Sequence, residues 1–242
     1  MKTTQPSPWP ARLDLAQSIS GLFLALFMWV HMFFVSSIIL GKDAFWIVAR
    51  TFEGYFILGY AIPALVSMLV ALVSSIIIIH AILALRKFPA SAAQYGAFWS
   101  HMRSMRHDDT TLWLVQVITG FAMFFLASVH LYIMLSRPDL IDPYGSADRV
   151  WTGNMWPLYL TLLFVVEVHG VVGLYRLALK WGWFTYGSPK QARERLKSVK
   201  WGLTALFVIL GLLALGAYIK IGMEHAREAG KLYTPSWLQE KP

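Results

Sequence analysis

Five long apolar runs separated by short polar stretches set the pattern of this chain, at residues 15–40, 55–85, 112–135, 156–181 and 201–221. Each is long enough to cross a hydrocarbon core of about 30 Å, which takes about 20 residues of helix. The first run begins on a polar shoulder of Asp14, Gln17, Ser18 and Ser20, and Pro63 near the start of the second predicts a kink or a late entry into that helix. Trp113, Trp156, Tyr159, Trp181, Trp183 and Trp201 gather at the ends of the runs, where amphipathic rings anchor at a membrane interface. The pattern predicts an all-α membrane protein, one bundle of five transmembrane helices over residues 1–242. No convincing sequence repeat or low-complexity segment stands out.

Composition agrees. Hydrophobic residues make up 57% of the 242, above the about 45–50% of a soluble domain. The formal net charge of +8 raises the question of nucleic acid, but the basic residues sit in short clusters that flank apolar runs. That distribution orients a membrane protein and argues against a nucleic-acid partner. Arg86, Lys87, Arg103 and Arg106 separate the second and third runs, and Lys190, Arg193, Arg195, Lys197 and Lys200 separate the fourth and fifth. The segment between the third and fourth leans acidic, with Asp139, Asp142 and Asp148 against Arg137 and Arg149. The positive-inside rule then places the N-terminus in the cytoplasm and the C-terminus outside. The absence of cysteine excludes disulfides, thiolate iron–sulfur ligation and covalent c-type haem within the chain. The polar, proline-rich start followed by a full-length apolar run predicts no cleavable signal peptide.

The candidate chemistry lies in the histidines. Of seven, His101, His107 and His225 fall in loops or tails, whereas His31, His80, His130 and His169 stand one each in the first four runs. An ionisable group at membrane depth is costly and persists where it is paired, hydrated or ligated. The topology sorts the four by depth: His31 and His130 in the outer half, His80 and His169 in the inner half. Two facing imidazoles are the axial ligands of a six-coordinate b haem, so two pairs predict two haems. Gly170 and Gly173 beside His169 leave room for a ring edge or for helix packing, and Gly21 and Gly120 precede ligand candidates by about three turns. No HExxH or carboxylate-rich cluster points to zinc or di-iron chemistry. Glu167, deep in the fourth run, is turned about 200° from His169 and reads as a protonatable group on a proton path or as a hydrogen-bonded structural acid. Glu53 lies at the outer end between the first two helices, near the outer histidine pair.

The segments GLFLALFMWVHMFFVSSIILG, IIHAILALRKFP, RHDDTTLWLVQVITGFAMFFLASVHLYIM, MWPLYL and VEVHGVVGLYRLALKWGWF closely resemble the dihaem cytochrome b subunit of quinol:fumarate reductases, the five-helix type of epsilonproteobacteria and Desulfovibrio. The likeness runs from about Leu13 to Tyr218, and only the tails and the loop before MWPLYL diverge. It implies a bacterial cytoplasmic membrane, menaquinol as substrate, and two partner subunits: an FAD-carrying flavoprotein with the fumarate site and an iron–sulfur protein. It also allows a dimer of heterotrimers. By the resemblance, His80 and His169 ligate the proximal haem iron and His31 and His130 the distal one. Gln17, Ser18, Trp113, Arg149 and Lys180 would contact haem propionates, and His107 would lie near the proximal haem. Glu53 matches the proton acceptor for quinol, and Glu167 matches the acid of a transmembrane proton relay. Two other functions fit the residues themselves: the cytochrome b subunit of a hydrogenase or formate dehydrogenase, and a haem-free transporter or structural anchor.

Overall fold

The computed structural model describes residues 7–105 and 108–239. Ten α-helices follow one another among the described residues: α1 Trp9–Ser36, α2 Lys42–Phe52, α3 Tyr55–Leu58, α4 Pro63–Leu85, α5 Ala92–Met105, α6 Asp108–Ser136, α7 Pro143–Val150, α8 Trp156–Trp181, α9 Pro189–His225 and α10 Ser236–Gln239. Five of them, α1, α4, α6, α8 and α9, are long and apolar enough to span a membrane. The chain is an all-α membrane protein, as the apolar pattern predicts.

The boundaries move for identifiable reasons. α1 starts a turn and a half early, because Pro8 and Pro10 suit a helix start. The second predicted span does not begin at residue 55. Gly54 and Gly59 adopt left-handed φ of 76° and 80°, so α3 is one isolated turn. α4 then starts at Pro63, whose missing N–H costs nothing at a first helical position. Pro63 therefore gives a late entry, not a kink. The fifth span extends backwards to Pro189, where a reciprocal capping box between Ser188 and Gln191 satisfies otherwise orphaned N–H groups. The polar stretches also contain α2, α5 and α7, which are too short or too polar to register as spans.

Helices α1, α4, α6 and α8 form a closed ring, each packed against the next and α8 against α1. α9 lies outside the ring against α8 and α1, and α7 caps the end of α9. The N-terminus of α1, the C-terminus of α4, the N-terminus of α6, the C-terminus of α8 and the N-terminus of α9 share one end, called here the N-terminal end. Exposed Ile78, Ile82, Phe121, Phe124, Phe125, Ile209 and Leu213 give the outside of the bundle an apolar coat, as a lipid solvent requires.

Close approach of α9 depends on two glycines. A Cβ at Gly211 would run into Leu163 of α8 and Met32 of α1, and one at Gly222 would stand 2.6 Å from the Ala147 carbonyl of α7. At Gly216 a Cβ would meet nothing within 4 Å. Gly222→Ala and Gly211→Ala should each destabilise the detergent-solubilised protein by about 1–3 kcal/mol, and Gly216→Ala should not. Thermal melting of the three variants checks this, and equal melting of all three would refute the packing account.

Candidate functional site

The ring of four helices carries one histidine on each, and the structure places them at two levels. His31 of α1 and His130 of α6 face one another with ring centroids 6.1 Å apart. Phe27 stacks on the first ring at 5.9 Å, and Tyr159 meets the second edge-on at 5.7 Å. Two metal–nitrogen bonds of about 2 Å plus half of each ring sum to about 6 Å, so this separation suits two imidazoles sharing one metal centre. Nδ1 of His130 is buried with no hydrogen-bond partner.

His80 and His169 lie toward the N-terminal end, near enough for one ring's charge to act on the other. Each is seated against a neighbouring helix. His80 Nδ1 is 3.0 Å from Ser20 Oγ, and a Cβ at Gly21 would stand 2.9 Å from His80 Cε1. His169 Nδ1 is 3.0 Å from the Gln116 carbonyl and 3.2 Å from Thr119 Oγ1, and a Cβ at Gly120 would stand 3.1 Å from its Cε1. A carbonyl only accepts, so Nδ1 of His169 carries the proton and Nε2 keeps its lone pair for a metal. Gly21 and Gly120 thus make room for imidazoles of the facing helices. Each lies ten residues before a histidine of the other level, so the two levels are about 15 Å apart along the axis.

Gly170 and Gly173 act differently from a ring-edge gap. Their Cβ positions point at Met28 Cε (3.2 Å) and Gln116 Nε2 (2.9 Å), so they bring α8 close to α1 and α6.

The five residues expected to contact haem propionates divide between the two ends. Lys180 Nζ donates to Ser18 Oγ at 3.0 Å and forms an ion pair with Asp14, which also pairs with Lys87. Gln17 stands beside this cluster with its Oε1 buried and without a partner. Trp113, near the start of α6, packs edge-on against Phe98 at 4.6 Å. Arg149 is elsewhere, at the far end, where it donates to the Leu140 carbonyl at 2.9 Å and acts electrostatically on His130. His107 lies outside the described residues.

The two carboxylates are both fully buried, at 0% exposure. Glu167 has neither carboxylate oxygen partnered. Leu163, four residues before it, packs toward Gly211 of α9, and Gly170, three residues after it, faces Met28 of α1. Its face of α8 is therefore opposite the one that presents His169 to α6. Glu53 ends α2 at the far end and is ion-paired through Oε2 with Arg50, while Oε1 is unpartnered. Burial pushes the Glu53 carboxyl above the usual carboxylate range, Arg50 opposes this, and nearby Asp142 adds to the rise.

Several residues escape a reading of the sequence. Ser20 and Asp14 appear there only as a polar shoulder, and Gln116 and Thr119 carry no signal beyond being polar within an apolar run. His225, expected in a tail, is the buried last residue of α9. It is stacked on Tyr144 at 3.9 Å, with Nδ1 2.9 Å from Asp148 Oδ1. Asp148 also accepts from the Gly230 amide at 2.9 Å, and Asp43 accepts from the Tyr233 hydroxyl at 2.8 Å, which ties the C-terminal segment over this end.

Among the described residues no three His, Cys, Asp or Glu converge to hold a bare metal ion. Two facing imidazoles are the protein ligands that would suit a b-type haem, which supplies its remaining ligands itself. The glycine-backed rings and the orphaned buried polar atoms of Gln17, Trp29 and His130 fit such a group. Known proteins point the same way. Residues 92–210 match the succinate dehydrogenase/fumarate reductase transmembrane subunit family. The chain is 54% identical over 218 residues to the fumarate reductase cytochrome b subunit of Wolinella succinogenes, covering 90% of this chain and 85% of that one. It is 52% identical over 215 residues to the protein of the same name from Helicobacter pylori, covering 89% and 83%. With five membrane-spanning helices, intramembrane histidines and relatives of this similarity along nearly their whole length, the chain belongs to the family of fumarate reductase cytochrome b subunits, the membrane anchors of that complex.

Proposed function

We propose that this chain is the quinol-oxidising, dihaem subunit of a menaquinol:fumarate reductase. The observation that carries the reading is the His31–His130 pair, facing at 6.1 Å inside the helix ring and matched at a second level by His80 and His169. In this reading His31 and His130 hold the distal haem iron, and His80 and His169 hold the proximal one. Ser18 and Lys180, together in one cluster with Gln17 beside them, and Trp113 at the same end, serve the propionates of the proximal haem. Arg149 serves those of the distal haem. When bound, the haems supply one-electron carriage between quinol and an iron–sulfur partner. The relatives' names favour a fumarate-reducing flavoprotein as the further partner over a hydrogenase or formate dehydrogenase.

The orientation follows from charge. The basic residues of α5, the end of α8 and the start of α9 share the N-terminal end, which is the cytoplasmic side of a bacterial cytoplasmic membrane. The soluble subunits dock there, and menaquinol is oxidised at the far end beside Glu53. That carboxyl has one oxygen held by Arg50 and one without a partner, an arrangement suited to taking a proton from a bound hydroxyl. Net inward transfer of an electron against the membrane potential costs about 2.3 kcal/mol per 100 mV. A proton moving inward with each electron cancels that work. Glu167, buried at mid-membrane with both oxygens unpartnered, is the residue placed to relay it.

Three outcomes test the reading. Replacing His130 by Ala should remove one haem and leave the other, so that the b-haem content of the purified complex falls to about half; two haems retained would overturn the ligand assignment. Glu53→Gln should keep both haems yet slow menaquinol oxidation by about 100-fold or more. A proton acceptor must be ionised, and burial raises the Glu53 carboxyl. Wild-type quinol oxidation should therefore fall on acidification starting above the ordinary carboxylate range, and an unchanged rate in Glu53→Gln would remove this residue from the site. Glu167→Gln should likewise retain haem but lose menaquinol-driven fumarate reduction in intact vesicles. Full turnover there would sink the relay.

A further inference from the structure

Although the sequence shows no obvious repeat, the segments that form the two histidine seats described above align with one another without a gap. Residues 17–31 read QSISGLFLALFMWVH and residues 116–130 read QVITGFAMFFLASVH, with Gln, Ile, Ser or Thr, Gly, Val and His in the same places without a gap. The helices that follow repeat as well: residues 80–85 are HAILAL and residues 169–174 are HGVVGL. In each copy the Gln-x-x-Ser/Thr-Gly stretch of one helix receives the histidine that opens the second motif.

The hydrogen bonding is also duplicated. Ser20 Oγ is within 3.1 Å of the Gln17 carbonyl and 3.0 Å of His80 Nδ1, and the Gln17 backbone hydrogen-bonds the His80 ring. Thr119 Oγ1 donates to the Val115 carbonyl at 2.8 Å, lies 3.2 Å from the Gln116 carbonyl, and is 3.2 Å from His169 Nδ1. A hydroxyl has one proton. Spent on a carbonyl, it leaves the oxygen lone pairs to accept from Nδ1–H. The hydroxyl and the glutamine carbonyl therefore share one imidazole proton, while the glycine leaves room for the Nδ1–Cε1 edge of the ring.

We propose that the subunit contains a duplicated two-helix half-site, and that Ser20 and Thr119 are equivalent positioning residues that hold the His80 and His169 rings from opposite sides of the inner site. Accepting from Nδ1–H fixes the tautomer and makes Nε2 a stronger donor to iron, which stabilises the oxidised metal. The two hydroxyls act on the same centre and in the same direction.

The inference rests on the haem reading, and the measurement separates the two. In the purified complex, redox potentiometry with optical detection resolves the b haems. Ser20→Ala and Thr119→Val should retain both haems and shift the inner haem to higher potential. The double variant should shift it further, and the outer haem should stay unchanged. The exchanges Ser20→Thr and Thr119→Ser, which swap the two copies' residues, should behave as wild type. Gly21→Ala and Gly120→Ala should each alter the low-spin electron paramagnetic resonance signal of the inner haem, because the added methyl tilts the ring. If both haems are present and the hydroxyl-free variants leave the inner potential where it was, the positioning role is wrong. The same holds if Ser20→Thr or Thr119→Ser moves that potential as far as the hydroxyl-free variants do. If the wild-type complex lacks b-type haem, the haem reading itself fails.

Discussion

A polar ring in hydrocarbon must find its partners inside the protein, and that constraint organises this bundle. His80 and His169 cannot turn to water, so each turns to the backbone and hydroxyl of the helix beside it. Those contacts require helices close enough for an imidazole edge to reach the neighbouring backbone, and glycine is the residue that permits it. The closed ring of α1, α4, α6 and α8 seats these two rings and sets His31 against His130, whose Nδ1 keeps no hydrogen-bond partner. α9 stands outside because it contributes none of them.

The same constraint separates the two ends of the molecule. At the N-terminal end the charges neutralise each other in a compact group, Asp14 with Lys87 and Lys180. At the far end Arg50, Glu53, Asp142, Asp148 and His225 gather where α2, α7 and the end of α9 meet, with Glu53, Asp142 and His225 buried. Asp14 is thus neutralised by two lysines, whereas Glu53 keeps one oxygen without a partner.

Much of this was legible in the sequence. Hydropathy located the five spans because lipid imposes an unambiguous length and composition on each, and the fourth span agrees to the residue, Trp156–Trp181. The pairing of histidines by depth followed from topology alone, and the rings of His31 and His130 do meet. What escaped was structure of another kind. α2, α5 and α7 are short, and what separates them from loops is packing, not hydropathy. The seats for His80 and His169 are built partly from main-chain carbonyls, which have no letter in a sequence. The repeat hid because most of its fifteen positions hold different apolar residues in the two copies, and few keep their identity. His225 escaped for a similar reason, since nothing in the sequence around it foretells the Tyr144 stack that buries it.

Each glycine seat joins a spanning helix to the one that follows it in the chain: Gly21 of α1 receives His80 of α4, and Gly120 of α6 receives His169 of α8. The contacts are therefore local in order of synthesis. A nascent chain completes the first hairpin with its buried imidazole already satisfied before the third span has left the ribosome, and the second hairpin repeats the event. Neither intermediate has to leave that histidine unpartnered in lipid while waiting for the rest of the protein. Assembly then brings the two hairpins together, which is when His31 and His130 meet, and the fifth helix packs against α8 and α1.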